Sequence, residues 1–361
     1  MTSHERITAV LNRDPVDRLP VDIWVTPEIG GALKEHFDVE DDLDLFKALG
    51  VDKIVWTWPG YTGGAEEDGQ PSGAHFGGKR SMWGTPLRDM DTGTALYQEF
   101  GTPPLADYGT PASLSEYPYW PDPARFDYAT ATALAKRSRE EYGFATNGPW
   151  VSFFEVYCQM RGMEQSMMDV LVDPDYVNAV LDRIEWVQSE MMKRFFDETA
   201  AYVDMAFISD DMGSQEGLFI GLDMWDLYFR DRMIRWCELI HSYGVIKVFY
   251  HSDGAIAPLI PRLIDCGIDI LNPIQHACPG MELAPLKERY GDRVIFHGGV
   301  ENQHVLPFGT VDQVRTETQN CLEILGAGKE GYICCSCHNV QAGTPIENVL
   351  AMVETVRDSA N

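Results

Sequence analysis

The sequence predicts an α/β fold, a TIM (β/α)8 barrel, on two observations: short β-rich apolar runs recur along the chain, and amphipathic helical stretches separate them. The runs are LPVDIW (19–24), GVDKIVW (50–56), GFATNGP (143–149), VDMAFISDD (203–211), VIKVFYHSDG (245–254), IDILNP (268–273), RVIFHGG (293–299) and GYICCSCHN (331–339). Repeated alternation of strand and helix argues for a parallel sheet, and eight such units close most economically as a barrel, which removes exposed edges. A doubly wound open sheet is the rival fold. It places a glycine fingerprint after its first strand, and LPVDIWVTPEIGG has no such spacing.

The first helix is expected over residues 3–12, with Ile7, Val10 and Leu11 at helical spacing and Ser3 as its cap. NRDPVDR then turns the chain into LPVDIW, where Pro20 is tolerable because the first residue of a strand need not donate into the ladder. Further helices are expected over 174–199, 223–243, 281–290 and 311–326. Residues 58–142 differ in texture: they are rich in Gly, Pro and aromatics with little helical periodicity, too long for an ordinary loop. They read as an insertion over the barrel mouth between the second and third strands, with two short strands in KRSMWGTPLRDMDTG. The whole chain, 1–361, is read as one domain.

Composition narrows the function. A formal charge of -28, from 28 basic against 56 acidic residues, disfavours nucleic acid, which requires a Lys/Arg surface, and says nothing against a small anionic substrate. No apolar run approaches the roughly 18 residues of a membrane span, and the first residues lack the order of a signal peptide, so no membrane role and a cytoplasmic location are expected. The 8 cysteines do not form a small disulfide framework, although Cys334, Cys335 and Cys337 lie together.

In barrels of this type the catalytic groups sit where strands end. The strand endings supply Asp210 and Asp211, His251 and Asp253, Asn272, His297, and Cys335, Cys337 and His338. In extended backbone only one of Asp210 and Asp211 faces the mouth, leaving the other to cap a loop or helix. His251 and Asp253 share a face through the period of two, and a His with a nearby carboxylate serves as a general base or as part of a metal site. The same period sets Cys335 and Cys337 opposite Cys334, Ser336 and His338, and thiolate with imidazole makes a zinc-compatible set. Asp211, His251, Asp253 and His338 are the candidate catalytic residues. His251, Asp253 and Cys337 are the candidate metal ligands. Trp24 and Trp56 are candidate walls of a substrate pocket, Asn147 and Asn272 candidate polar contacts, and Arg80 and Arg88 candidate partners of a substrate carboxylate.

The stretches SHERITAVLNRDPVDRLPVDIW, NGPWVSFFEVYCQMRGMEQSMMDVLVDPDYV, ISDDMGSQEGLFI, FYHSDG and GYICCSCHNVQAGTPIENVLAMVETV resemble the uroporphyrinogen decarboxylase superfamily, which also contains methyltransferases that demethylate corrinoid proteins. The resemblance spans nearly the whole chain. The superfamily's decarboxylases use no cofactor and rely on an arginine-rich stretch after the first strand; WVTPEIGGALKEH has no Arg, while His338 matches their histidine near the final strand. The methyltransferases bind zinc through a His-X-Cys pair and a Cys near the end of the last strand. The resemblance therefore implies His251 as one ligand, Asp253 in place of the expected Cys, and either Cys337 or His338 as the third. It implies an enzyme moving a methyl group between a small methylated or methoxylated substrate and a corrinoid protein or a pterin such as tetrahydrofolate. The alternative is a cofactor-free decarboxylase of a small carboxylated or porphyrinogen-like compound, and the third class is a non-enzymatic binding protein. A homodimer is the oligomer expected from the general frequency of paired barrels.

Overall fold

The computed structural model describes residues 1–63, 79–91, 93 and 96–359. Seven strands form one curled sheet: β1 (Ile54–Trp56), β2 (Ala145–Val151), β3 (Met205–Ser209), β4 (Lys247–His251), β5 (Ile270–Asn272), β6 (Ile295–Val300) and β7 (Tyr332–Ser336). They pair in parallel and in chain order. The register sets His251 level with Ser209 on one side and Asn272 on the other, which is how three separate segments deliver side chains to one place.

The expected first strand makes isolated bridges instead of a continuous ladder. Val21 and Val25 pair in parallel with Cys334 and Val340. On the other side the Asp52 N–H donates to the Val21 carbonyl, but at the next position the Ile54 N–H donates to the Asp22 carboxylate at 3.2 Å. Segment 20–25 thus bonds to β7 on one side and to the chain entering β1 on the other, with a side chain completing what the backbone leaves open.

Period-two alternation turns Ile54, Ala145, Met205, Phe207, Phe249, Ile270, Ile295, Ile333 and Cys335 to the concave side of the sheet, where they form one buried cluster. Helix Ser3–Leu11 packs Ile7, Val10 and Leu11 into that same cluster, and its His4 N–H bonds the Gly143 carbonyl just before β2. The helix therefore stoppers the N-terminal end of the strands. Its cap is Thr2 and not the expected Ser3: Thr2 accepts from the Glu5 N–H while Glu5 accepts from the Thr2 N–H, a reciprocal capping box.

Helices cover the convex side. The one expected over 174–199 is Pro174–Thr199, with Pro174 in its first turn and the Asp173 carboxylate accepting from the Tyr176 N–H. Those expected over 281–290 and 311–326 are Leu283–Tyr290 and Val311–Ile324, and the 223–243 stretch is broken by a widened turn at Asp226–Arg230. Within 58–142 a hairpin pairs Leu87–Asp91 with Leu96–Phe100, later in the chain than the expected strand pair begins. The same stretch also contains an unexpected helix, Tyr128–Arg137. Its buried face is Tyr128, Ala131 and Ala135, so two of its three inward positions are too small to register as apolar periodicity. Among the described residues no helix is long and apolar enough to cross a membrane.

One ion cluster ties the stoppering helix to the sheet. Buried Asp52 accepts from Arg6 at 2.5 Å, from Arg18 at 2.6 Å and from the Val21 N–H at 3.1 Å. Removing the carboxylate leaves the largely buried Arg18 without a carboxylate partner and Arg6 with only the more exposed Asp17. We expect Asp52→Ala to lower the unfolding free energy by about 3–5 kcal/mol, read as a fall in the urea midpoint at constant slope. A loss below about 1 kcal/mol, the level of an exposed pair, would contradict this.

Candidate active site

A continuous chain of buried hydrogen bonds runs along the concave side toward His251. The Lys53 ammonium donates to the Asp22 carboxylate at 2.8 Å, and the Trp24 indole N–H donates to the same group at 2.9 Å. His297 Nε2 lies 3.2 Å from Asp22, its Nδ1 lies 2.8 Å from the Asn272 side-chain nitrogen, and the Asn272 oxygen lies 2.5 Å from His251 Nδ1. Donor and acceptor roles follow in order. Burial would raise the Asp22 carboxyl, but Lys53 and then His297 outweigh it and hold it at about 2, so Asp22 is an acceptor. Burial keeps the His297 ring below its ordinary value, so its one proton sits on Nε2 facing Asp22, and Nδ1 accepts from the Asn272 amide. The Asn272 oxygen then accepts from His251 Nδ1–H. His251 is left with Nε2 aimed at the C-terminal end of the strands.

Three further groups meet that nitrogen. Asp211 Oδ1 is 3.8 Å from His251 Nε2 and also accepts from the Asp253 N–H at 2.8 Å. His338 Nε2 is 4.0 Å from Asp253 Oδ2, and the two histidine rings lie 5.6 Å apart. Ligating atoms of His251, Asp253 and His338 all fall within 4.8 Å of one another. Burial raises the Asp253 carboxyl and lowers the His338 imidazole. These four residues, all expected from strand endings, come together. Cys337 does not join them: β7 ends at Ser336, the alternation stops there, and Cys337 Sγ donates to the Ile274 carbonyl at 3.2 Å. Cys335 also stays in the concave cluster, where its sulfur lies with Asp22 and His297, so the side chain that converges on His251 and Asp253 from the last strand is His338 and neither cysteine.

The adjacent acids divide as expected. Asp210 is buried and accepts from Ser152 Oγ at 2.7 Å and from the backbone N–H groups of Phe153, Phe154 and Glu155, so it caps helix Phe154–Arg161. Asp211 faces the cluster. Sequence reasoning missed Glu155, whose Oε1 accepts from Ser209 Oγ at 2.6 Å and from the Asp211 N–H at 3.3 Å. It missed Asp22 and Lys53 as well, and placed His297 at a strand ending without a partner. Charge inside an apolar run, one residue in LPVDIW and an adjacent pair in GVDKIVW, was the available signal.

Trp24 meets Trp56 edge-on at 4.9 Å and lies 5.8 Å from the His251 ring, while Trp58 stacks on Trp56. Asn147 is fully buried on β2 level with Trp56, and neither of its amide atoms has a hydrogen-bond partner among the described residues. The two arginines lie elsewhere. Arg80 bonds the Gly84 carbonyl and stacks over Tyr119. Arg88 is exposed on the hairpin, 4.0 Å from Glu99. One cavity is lined by cluster residues, and a second lies at Glu155. The first, of about 430 Å3, is lined by Asp253, Cys337, His338 and the amides of Gln215, Gln275, Gln303 and Gln341. The other, of about 250 Å3, is lined by Met82, Trp83, Phe100, Trp150 and Glu155.

A strand-end cluster of this kind on a curled parallel sheet is typical of α/β enzymes. The family model for uroporphyrinogen decarboxylase (URO-D) matches residues 101–359, and the chain belongs to that family. In structure it is similar to a methyltransferase from Methanosarcina mazei, at 19% identity and a TM-score of 0.65, with 99% of each chain covered. More distant likenesses are to a B12-independent methionine synthase from Shewanella sp. W3-18-1 (12% identity, TM-score 0.38, 63% of this chain and 65% of that one) and to xylanase B from Clostridium stercorarium F9 (13%, 0.43, 68% and 86%). No curated protein matches the sequence.

Asp210 gives a pH signature for the architecture beneath the site. Burial, opposed by Ser152 and the three backbone donors, raises its carboxyl to about 6. An acid whose value is higher folded than unfolded binds more protons in the native state, so its contribution to stability is greatest below about 4, the ordinary carboxyl value, and is lost as pH rises through about 6. We expect Asp210→Asn to lack that decline when unfolding free energy is followed by urea titration across the interval. An identical pH profile in both proteins would contradict it.

Proposed function

We propose that the curled sheet is a closed (β/α)8 barrel with segment 20–25 as its irregular first strand, and that the chain is a methyltransferase of the URO-D superfamily. Its substrate is a small methylated or methoxylated compound, and a corrinoid protein or a pterin is the methyl partner. The observation that carries this reading is the convergence of His251, Asp253 and His338 beside Asp211.

Two imidazole nitrogens and one carboxylate fit a catalytic zinc site, which has three protein ligands and one open position. His251, Asp253 and His338 would hold the ion, and bound zinc supplies a Lewis acid that polarises the substrate heteroatom. With a carboxylate instead of cysteines, the set is harder than a thiolate-rich one and better matched to an oxygen. The hydrogen-bond chain through Asn272 and His297 orients His251 so that Nε2 faces the site, as partners of ligand histidines ordinarily do. Asp211 steadies the loop by accepting from the Asp253 N–H. Trp24 and Trp56 wall the approach, and the unpaired Asn147 amide, costly to bury at about 1–3 kcal/mol, suits a polar contact to a ligand.

A polycarboxylate substrate fits poorly. Neither the cavity at the cluster nor the one at Glu155 is lined by Lys or Arg, and the acid in the wall of each is Asp253 and Glu155 respectively. That disfavours the decarboxylase alternative for a porphyrinogen-like compound.

As purified, or after dialysis against zinc, the protein is expected to hold one equivalent of metal by elemental analysis and to transfer methyl from a candidate ether to a reduced corrinoid acceptor. His251→Ala and His338→Ala lose the metal, and Asn272→Ala weakens its binding by about 10- to 100-fold. Carbon dioxide release from a carboxylated substrate without metal, and no methyl transfer, would replace this reading with the decarboxylase.

A further inference from the structure

We infer that Glu155 is the acid that protonates the leaving oxygen of the substrate, and that the apolar cavity it lines, about 250 Å3, takes a small neutral methyl ether. This rests on the methyl-transfer reading and gives it a substrate class and a proton source.

The geometry is that of a fixed carboxylic acid. Glu155 lies in the first turn of helix Phe154–Arg161. Its Oε1 is engaged by two donors, Ser209 Oγ–H and the Asp211 N–H. Oε2 has no hydrogen-bond partner among the described residues. An oxygen already accepting twice is the poorer place for a proton, so the acid proton sits on Oε2. The two donors on Oε1 favour the carboxylate, while burial and the acids around Glu155 favour the protonated form and outweigh them. Asp211 and Asp210 approach from the end of β3, Cys158 lies on its own helix, Ser81, Gln98 and Phe100 come from the segment covering the cavity, and none of these is a cation. Burial and then the Asp211 charge push the Glu155 carboxyl well above its usual range. One step beyond Asp211 is His251, so the acid stands beside the cluster and is not one of its ligands.

The cavity selects size and charge. Met82, Trp83, Phe100, Trp150 and Val156 make most of its wall apolar, and it has no basic residue to meet an anion. A cavity of about 150 Å3 accommodates benzene, so a methoxybenzene is of suitable bulk. In the step, the O–CH3 bond breaks and its electron pair stays on oxygen. Oxygen takes the Glu155 proton, and the methyl carbon bonds to the acceptor, a soft nucleophile such as a reduced corrinoid. The products are the free hydroxyl compound, the methylated acceptor and the Glu155 carboxylate, which solvent reprotonates.

Glu155→Gln tests the assignment, because the amide oxygen can still accept from Ser209 and Asp211 while no acidic proton remains; circular dichroism and the unfolding midpoint check the fold. With a methyl ether of a weakly acidic alcohol or phenol, single-turnover methyl transfer should fall about 10²–10⁴-fold. With a nitro-substituted aryl methyl ether, whose oxygen leaves without help, the fall should be less than about tenfold by the same reasoning. The wild-type rate should drop as pH rises through the titration of Glu155, and the variant should lack that limb. Glu155→Asp should recover part of the rate with the poorer leaving group. Anisole should bind wild type and Glu155→Gln alike by Trp fluorescence, and Val156→Trp, which fills the cavity, should abolish that binding. Equal losses with both leaving groups, full activity of Glu155→Gln, or no anisole binding would overturn the inference. If wild type transfers no methyl from any ether although anisole binds in the cavity, the parent reading fails, and the acid assignment falls with it.

Discussion

The site depends on one buried carboxylate. Asp22 accepts the Ile54 N–H where the first strand departs from its ladder, neutralises Lys53, fixes the Trp24 indole and orients His297. Each of these alone is ordinary. Together they make one atom group responsible both for joining segment 20–25 to the sheet and for the direction in which protons are arranged as far as His251. Burying an ion pair is expensive, and it is tolerated here because the remaining lone pairs of Asp22 are used. A substitution at Asp22 therefore cannot be interpreted as a catalytic effect or a folding effect alone.

The acids around the site are kept in different states by different surroundings. Asp22 is held ionised by Lys53 and His297, while Asp210 is pulled upward by burial against four donors. Glu155 has two donors on a single oxygen and two carboxylates nearby, and burial with the Asp211 charge pushes its carboxyl well above the usual range. The same functional group thus serves as anchor at Asp22, helix cap at Asp210 and acid at Glu155. Environments that separate otherwise identical groups are how enzymes assign acid and base roles near neutral pH.

Much of this was legible in the chain itself. The helix at Pro174–Thr199 was readable because its apolar period is regular and a proline marks its start. His251 and Asp211 were readable because polar residues ending apolar runs have a limited set of uses in this architecture. Cys337 was misleading because a period-two argument holds only while the strand lasts, and the strand stops one residue earlier. The helix at Tyr128–Arg137 was hidden by its small inward residues. Glu155 gave no signal at all: on a sequence it is one more acid in the first turn of a helix, and only the fold reveals that Ser209 and Asp211 hold it. Asp22 and His297 lay in runs already singled out, but their partnership spans 275 positions and no local pattern encodes it.

Helix Ser3–Leu11, by filling one end of the strand array, leaves the other end as the route of entry. On the methyl-transfer reading proposed above, donor and acceptor share that doorway, and each can obstruct the other. A large protein acceptor docked across that doorway would trap a small molecule already inside. Turnover in such an arrangement is governed by the order of arrival and departure as much as by bond making, so saturating amounts of the bulkier reactant should slow the reaction when it arrives first.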